Sequence, residues 1–217
     1  MNKRYCRISI DTFMTILSVI LMGGSFLFPD ERVHQIMGIL LFVMWALHVA
    51  LNRKWYGAVL KGKYNAYRIM QTVINVSVLV CALLLVTSGV MMAYFVPPKM
   101  IGGALTFARM VHLVFSHWYY VFMAAHIGMH AAMIASKCFS KVNSSFVKTA
   151  IRVVCIIVSL YGVYACFVRG IHKYMFLQQE FFFFDFEKGY ILFVVDYLSI
   201  LVLFGTLAHW VGKLVRK

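Results

Sequence analysis

Four of the eight histidines in this chain recur at one spacing. His34 and His48 are 14 residues apart, and so are His112 and His126. On an α-helix each residue advances about 100° and 1.5 Å, so such a step ends about 40° short of four turns and about 21 Å along the axis. Each pair therefore lies on one helix face, towards opposite ends. Neutral imidazole is a ligand for iron, zinc and copper, and two facing imidazoles can clasp one bare metal ion or one haem iron. Four uncharged histidines, with no carboxylate or thiolate expected beside them, would leave a divalent ion uncompensated in a low dielectric. Haem brings its own dianionic macrocycle and a large apolar surface. Iron held by imidazole on both sides has no open position, and passes electrons rather than doing bond chemistry.

The remaining histidines fit this pattern less well. His130 is one turn beyond His126 on nearly the same face, which makes it an alternative inner ligand or a partner of the ligand. His117 is 500° from His112 and points elsewhere. His172 and His209 have no spaced partner. Small residues accompany the pairs: Gly38 four after His34, Gly89, and Gly128 two after His126. Each gives a flat macrocycle room to approach, or lets two helices pack closely. Arg32 and Arg109 precede the outer histidines, while Asn52 and Arg53 follow His48. These are candidate contacts for haem propionates at either surface, and the inner group also fits a simple excess of cytoplasmic cations.

The elements that carry these residues are transmembrane helices. Apolar residues make up 63% of the 217-residue chain and charged residues 13%, against about 45–50% and 25% in a soluble domain. Mean hydropathy is +0.84. A soluble or disordered chain is excluded, and the net charge of +14 is read against membrane topology rather than nucleic acid. Six runs reach the length of about 20 residues that a crossing helix needs, at about 8–28, 33–52, 69–96, 108–136, 148–168 and 190–212. Each is too long for a barrel strand. The three prolines, Pro29 and Pro97-Pro98, fall after spans and interrupt none.

Fifteen of the 21 Lys and Arg fall on one side of such a six-span chain, and five of the seven acids on the other. Cytoplasmic loops attract Lys and Arg, so both termini are expected in the cytoplasm. The second and fourth spans then both run from outside to inside. Side by side, they set His34 level with His112 and His48 level with His126, one pair under each surface.

The expected architecture is all-α and polytopic. Residues 1–217 form a single transmembrane domain, with a haem-binding four-helix core at about 8–136 and two further helices at about 148–168 and 190–212. The first span lacks a small-residue cleavage site and is read as a retained helix. The five cysteines form no Cys-x-x-Cys or Cys-x-x-Cys-His motif, so neither a thiolate zinc site nor thioether-linked haem is expected. The run Phe181 to Phe184, in the longest outer segment, reads as a membrane-surface anchor.

Two stretches carry a resemblance. His48-Val-Ala-Leu-Asn52-Arg-Lys-Trp55-Tyr56, followed by Lys61-Gly-Lys-Tyr64 and Arg68, resembles the second-helix end and inner loop of the flavinylation-associated cytochromes, a bacterial membrane family. Phe107-Ala-Arg109-Met-Val-His112, running through Trp118 to His126-Ile-Gly128-Met-His130, resembles the same family's paired histidine signature. The match is good over about residues 30–135 and loose over the last two spans; His117 stands where an aromatic residue is expected. The resemblance implies a cytochrome b-like helical bundle in the bacterial cytoplasmic (inner) membrane, with two non-covalent haem b groups. His34 and His112 would hold the outer iron, and His48 and His126 the inner. It also implies electron delivery to an extracytosolic FMN-carrying protein, with quinol or an inner-side reductant as the source. Two other readings use the same residues: a histidine-based metal or proton transporter, for which Asp196 and Asp11 are candidate carboxylates, and a non-catalytic assembly or anchoring protein.

Overall fold

The computed structural model describes residues 3–138 and 144–216. All regular structure among them is helical. The long helices are α1 (Lys3–Leu21), α2 (Glu31–Leu51), α4 (Ala66–Met91), α6 (Ala104–Met129), α8 (Ser145–Val168) and α10 (Gly189–Leu214). Short helices α3 (Arg53–Ala58), α5 (Pro98–Ile101), α7 (Ala131–Cys138) and α9 (Ile171–Met175) lie at the turns. Local chemistry sets the boundaries. Asp30 caps α2 by accepting from the Arg32 N–H at 2.8 Å, and Asn65 caps α4 through the Arg68 N–H at 2.8 Å. Gly170, at φ 63°, supplies the left-handed residue that turns the chain from α8 into α9.

By length and composition, α2, α4, α8 and α10 can cross a membrane. The other two long helices pack in the same bundle but are more polar. α1 carries Lys3, Arg4, Arg7 and Asp11, while α6 carries Arg109 and three histidines in place of aliphatic residues. The fourth expected span is interrupted. α6 ends at Met129, His130 is its C-cap, and α7 begins at Ala131. The first span likewise stops at Leu21, ahead of a 3₁₀ turn over Gly24–Leu27.

Packing divides the bundle in two. The tight part joins α6 to α4 and α10, and α10 to α8. Tyr120, Tyr197, Phe193, Ile200 and His117 are the large side chains buried there, and the Tyr120 hydroxyl donates to the Tyr197 carbonyl at 2.7 Å. Glycines bring these helices close. A Cβ on Gly128 would lie 2.0 Å from the Gly205 carbonyl oxygen, and one on Gly162 2.5 Å from that of Ser199. The looser part is α2. It packs along α1, touches α4 only slightly, and approaches α6 hardly at all except through side chains. None of its residues is fully buried.

A buried ion pair ties α8 to α10. Arg169 Nε donates to Asp196 Oδ2 at 2.7 Å, and the Tyr161 hydroxyl donates to Oδ1 at 2.6 Å. Both charged side chains are more than nine-tenths buried. Asp196, a candidate proton carrier by sequence, is thus committed to a structural contact. Arg169→Met would leave its carboxylate buried and unmatched, a loss of about 3–5 kcal/mol. Thermal unfolding in detergent is expected to show it, with much of the loss recovered when Asp196→Asn is added.

The outer aromatic run is only half a surface anchor. Phe182 and Phe184 turn inward, Phe182 against Tyr174 and Phe26, and Phe184 against Phe193 and Tyr190. Phe181 and Phe183 stay exposed, as alternation along an extended segment dictates. Lys188 pairs with Asp185 at 3.0 Å and holds that carboxyl below the usual carboxylate range.

Candidate functional site

The four spaced histidines meet as two couples. His34 on α2 faces His112 on α6, with ring centres 6.3 Å apart and planes at 69°. His48 on α2 faces His126 on α6, also at 6.3 Å, with planes at 77°. A metal-bound imidazole nitrogen lies about 2.0–2.1 Å from its metal and the ring centre about 1.1–1.2 Å beyond, so two imidazoles on opposite sides of one metal have centres about 6.2–6.6 Å apart. Both couples fall in that interval. They span the separation between α2 and α6, two helices whose backbones otherwise stay apart.

The rings are oriented through Nδ1. His126 Nδ1 lies 2.8 Å from Asn75 Oδ1, and His112 Nδ1 lies 3.1 Å from Ser88 Oγ. The Ser88 hydroxyl itself donates to the Leu84 carbonyl at 2.7 Å, so towards the imidazole it presents an acceptor. His48 Nδ1 lies 2.7 Å from Asp11 Oδ1. His34 Nδ1 is buried beside the backbone of Gly24. An acceptor at Nδ1 fixes the tautomer with the proton there and leaves Nε2 as the nitrogen with a lone pair for a metal. Asp11 corrects the sequence expectation that no carboxylate stands near these histidines. It was legible only as a lone acid in an apolar helix, since its pairing with a residue 37 positions away depends on how α1 lies against α2. Asn75 and Ser88 were missed altogether; nothing in the sequence distinguishes them from other small polar residues of α4.

The remaining candidates divide. His130 stands beside His126, ring centres 5.0 Å apart, and so neighbours the His48–His126 couple. His117 points away, stacked on Tyr174 at 4.6 Å, with Nδ1 2.8 Å from the Leu113 carbonyl. Gly38 has nothing within 4 Å of where a Cβ would stand, which leaves room on the His34 face of α2. Gly89 lies against the His112 ring, a Cβ there meeting Cε1 at 3.5 Å, so it shapes the seat of the imidazole. Gly128 is not a clearance residue: its free face is filled by the Gly205 backbone of α10, and it serves helix packing.

Of the candidate propionate contacts, Arg32 lies over the Tyr94 ring at 5.6 Å. Arg109 lines a cavity of about 220 Å³ with Tyr94, Met91, Met92 and Leu105. Arg32 and Arg109 thus converge on Tyr94. Asn52 does not project into a site; its amide donates to the His48 carbonyl at 2.8 Å and caps α2. Arg53 is exposed at the start of α3.

Among the described residues no cluster of three or more His, Cys, Asp or Glu gathers as a bare-ion site would. Each centre is a couple of histidines at the spacing of two imidazoles on one metal, a donor set that could hold a haem iron. The described residues form a helical protein with four helices long and apolar enough to span a membrane, and no family model, curated protein or solved structure matches the chain.

Proposed function

We propose that this chain is a six-helix, di-haem b-type cytochrome that carries electrons across the bacterial cytoplasmic membrane, its termini in the cytoplasm. The observation that carries the reading is the pair of His–His couples, each at 6.3 Å, joining two helices that hardly touch otherwise. His34 and His112 would hold the outer haem iron, and His48 and His126 the inner. When bound, haem supplies reversible one-electron storage, and double imidazole ligation leaves no position for oxygen or substrate.

The protein's own part is positional. α4 orients the α6 imidazoles through Ser88 and Asn75, and α1 orients His48 through Asp11. The apolar helices pack about the couples, and Arg32 and Arg109 would supply positive charge at the outer rim. Two carriers at different depths suit transfer from quinol or an inner-side reductant to an extracytosolic acceptor. The family resemblance makes that acceptor an FMN-carrying protein and the chain the membrane partner of a reductase system.

Purified protein is expected to give a reduced-minus-oxidised spectrum with a b-type α band, and haem quantification close to two per chain. Folded protein that takes up no haem overturns the reading.

A further inference from the structure

We propose that Asp11 makes the inner histidine couple the low-potential one, so that the chain is poled to move electrons outward. This rests on the di-haem reading and adds to it a residue that sets the order of the two potentials.

The two couples differ in what stands behind their rings. At the inner couple, His48 Nδ1 meets a carboxylate oxygen of Asp11 at 2.7 Å, and His126 Nδ1 meets the Asn75 amide oxygen at 2.8 Å. At the outer couple no carboxylate stands behind either ring: His112 Nδ1 lies 3.1 Å from the Ser88 hydroxyl, and His34 lies beside the Gly24 backbone. A carboxylate accepting from Nδ1–H makes the other ring nitrogen a stronger electron donor to its metal. Together with the carboxylate's negative charge, that favours the oxidised, more positive iron and lowers the reduction potential. The outer couple has no carboxylate at its imidazoles to favour the oxidised form. Arg7 stands one helical turn from Asp11 and is committed elsewhere, donating to the Leu51 carbonyl at 2.8 Å. Electrons run from low potential to high, here from the inner couple to the outer. Asp11 acts through His48 and is a positioning residue.

The test is a potentiometric titration of the full-length chain followed at the haem absorbance. Wild type is expected to show two one-electron waves. Because Asp11 is half exposed, solvent screens its charge. Asp11→Asn should therefore shift the lower wave upward by about a tenfold change in equilibrium, about 59 mV for one electron. The upper wave should stay in place. The same titration in a His112→Ala chain, which lacks one outer ligand, should retain the wave that Asp11→Asn moves.

If Asp11→Asn sheds the inner haem, Asn75→Asp gives the opposite test. A second carboxylate behind the inner couple should lower the lower wave by a similar amount. A chain with two haems whose lower wave moves with neither variant overturns the inference alone. So does one in which Asp11→Asn moves the upper wave instead. A chain with no haem overturns the di-haem reading beneath it.

Discussion

His112→Ala is expected to halve the haem content, from two per chain to one, with the inner haem retained. The reason is the separation of the couples. His112 and His126 stand 14 residues apart on one helix, about 21 Å along its axis, and share no side-chain partner: one leans on Ser88, the other on Asn75. Removing the outer imidazole leaves His34 alone on α2, which makes few other contacts towards α6. The inner couple keeps both its rings and the groups behind them. His48→Ala should give the mirror result and keep the outer haem. Haem assay and the low-temperature α band of each variant decide the matter. Equal loss of both haems from each variant would show that the couples do not bind independently.

The second large effect concerns packing. Gly128→Val is expected to destabilise the bundle by more than any exposed substitution, at or beyond the upper end of the about 1–3 kcal/mol typical of overpacking. A Cβ at this position would stand 2.0 Å from the Gly205 carbonyl oxygen, 2.6 Å from its carbon and 2.7 Å from its Cα. These are backbone atoms of α10, which cannot swing aside as a side chain would, so α6 and α10 must separate. Tyr120, hydrogen-bonded to the Tyr197 carbonyl across the same interface, would lose its partner. Gly38→Ala is the control. Nothing lies within 4 Å of its Cβ position, so only helix propensity acts there, and it favours alanine by up to about 1 kcal/mol. Thermal unfolding of the two variants in one detergent measures the contrast; equal melting temperatures would rule out the close α6–α10 contact.

Much of this site could be read from spacing. A 14-residue interval closes on one face of an α-helix whatever surrounds it, because the angle per residue is a property of the backbone. The pairing of His34 with His112 and of His48 with His126 followed once the two helices were placed side by side and parallel. The caps of α2 and α4, Asp30 and Asn65, emerged only in the structure. So did the break at His130. An apolar run continues through it, and only the C-cap geometry divides α6 from α7.

The roles of single small or polar residues were the least legible. Gly38, Gly89 and Gly128 read alike, as room for a flat ligand or as points of close helix packing. In the fold one meets open space, one an imidazole and one a backbone carbonyl. Asp196 read as a carboxylate free to carry protons and is bound by Arg169 and Tyr161. Asn52 read as a surface donor and closes its own helix.

The sequence by itself determined an apolar helical chain and two helices each bearing a pair of imidazoles on one face, because composition and the helical repeat are local properties. Tertiary structure alone decided which polar atom stands behind each imidazole. Asp11, Asn75 and Ser88 reach their histidines across 37, 51 and 24 residues of chain, and such contacts depend on the rotation and depth of one helix against another, which the packing of the whole bundle sets.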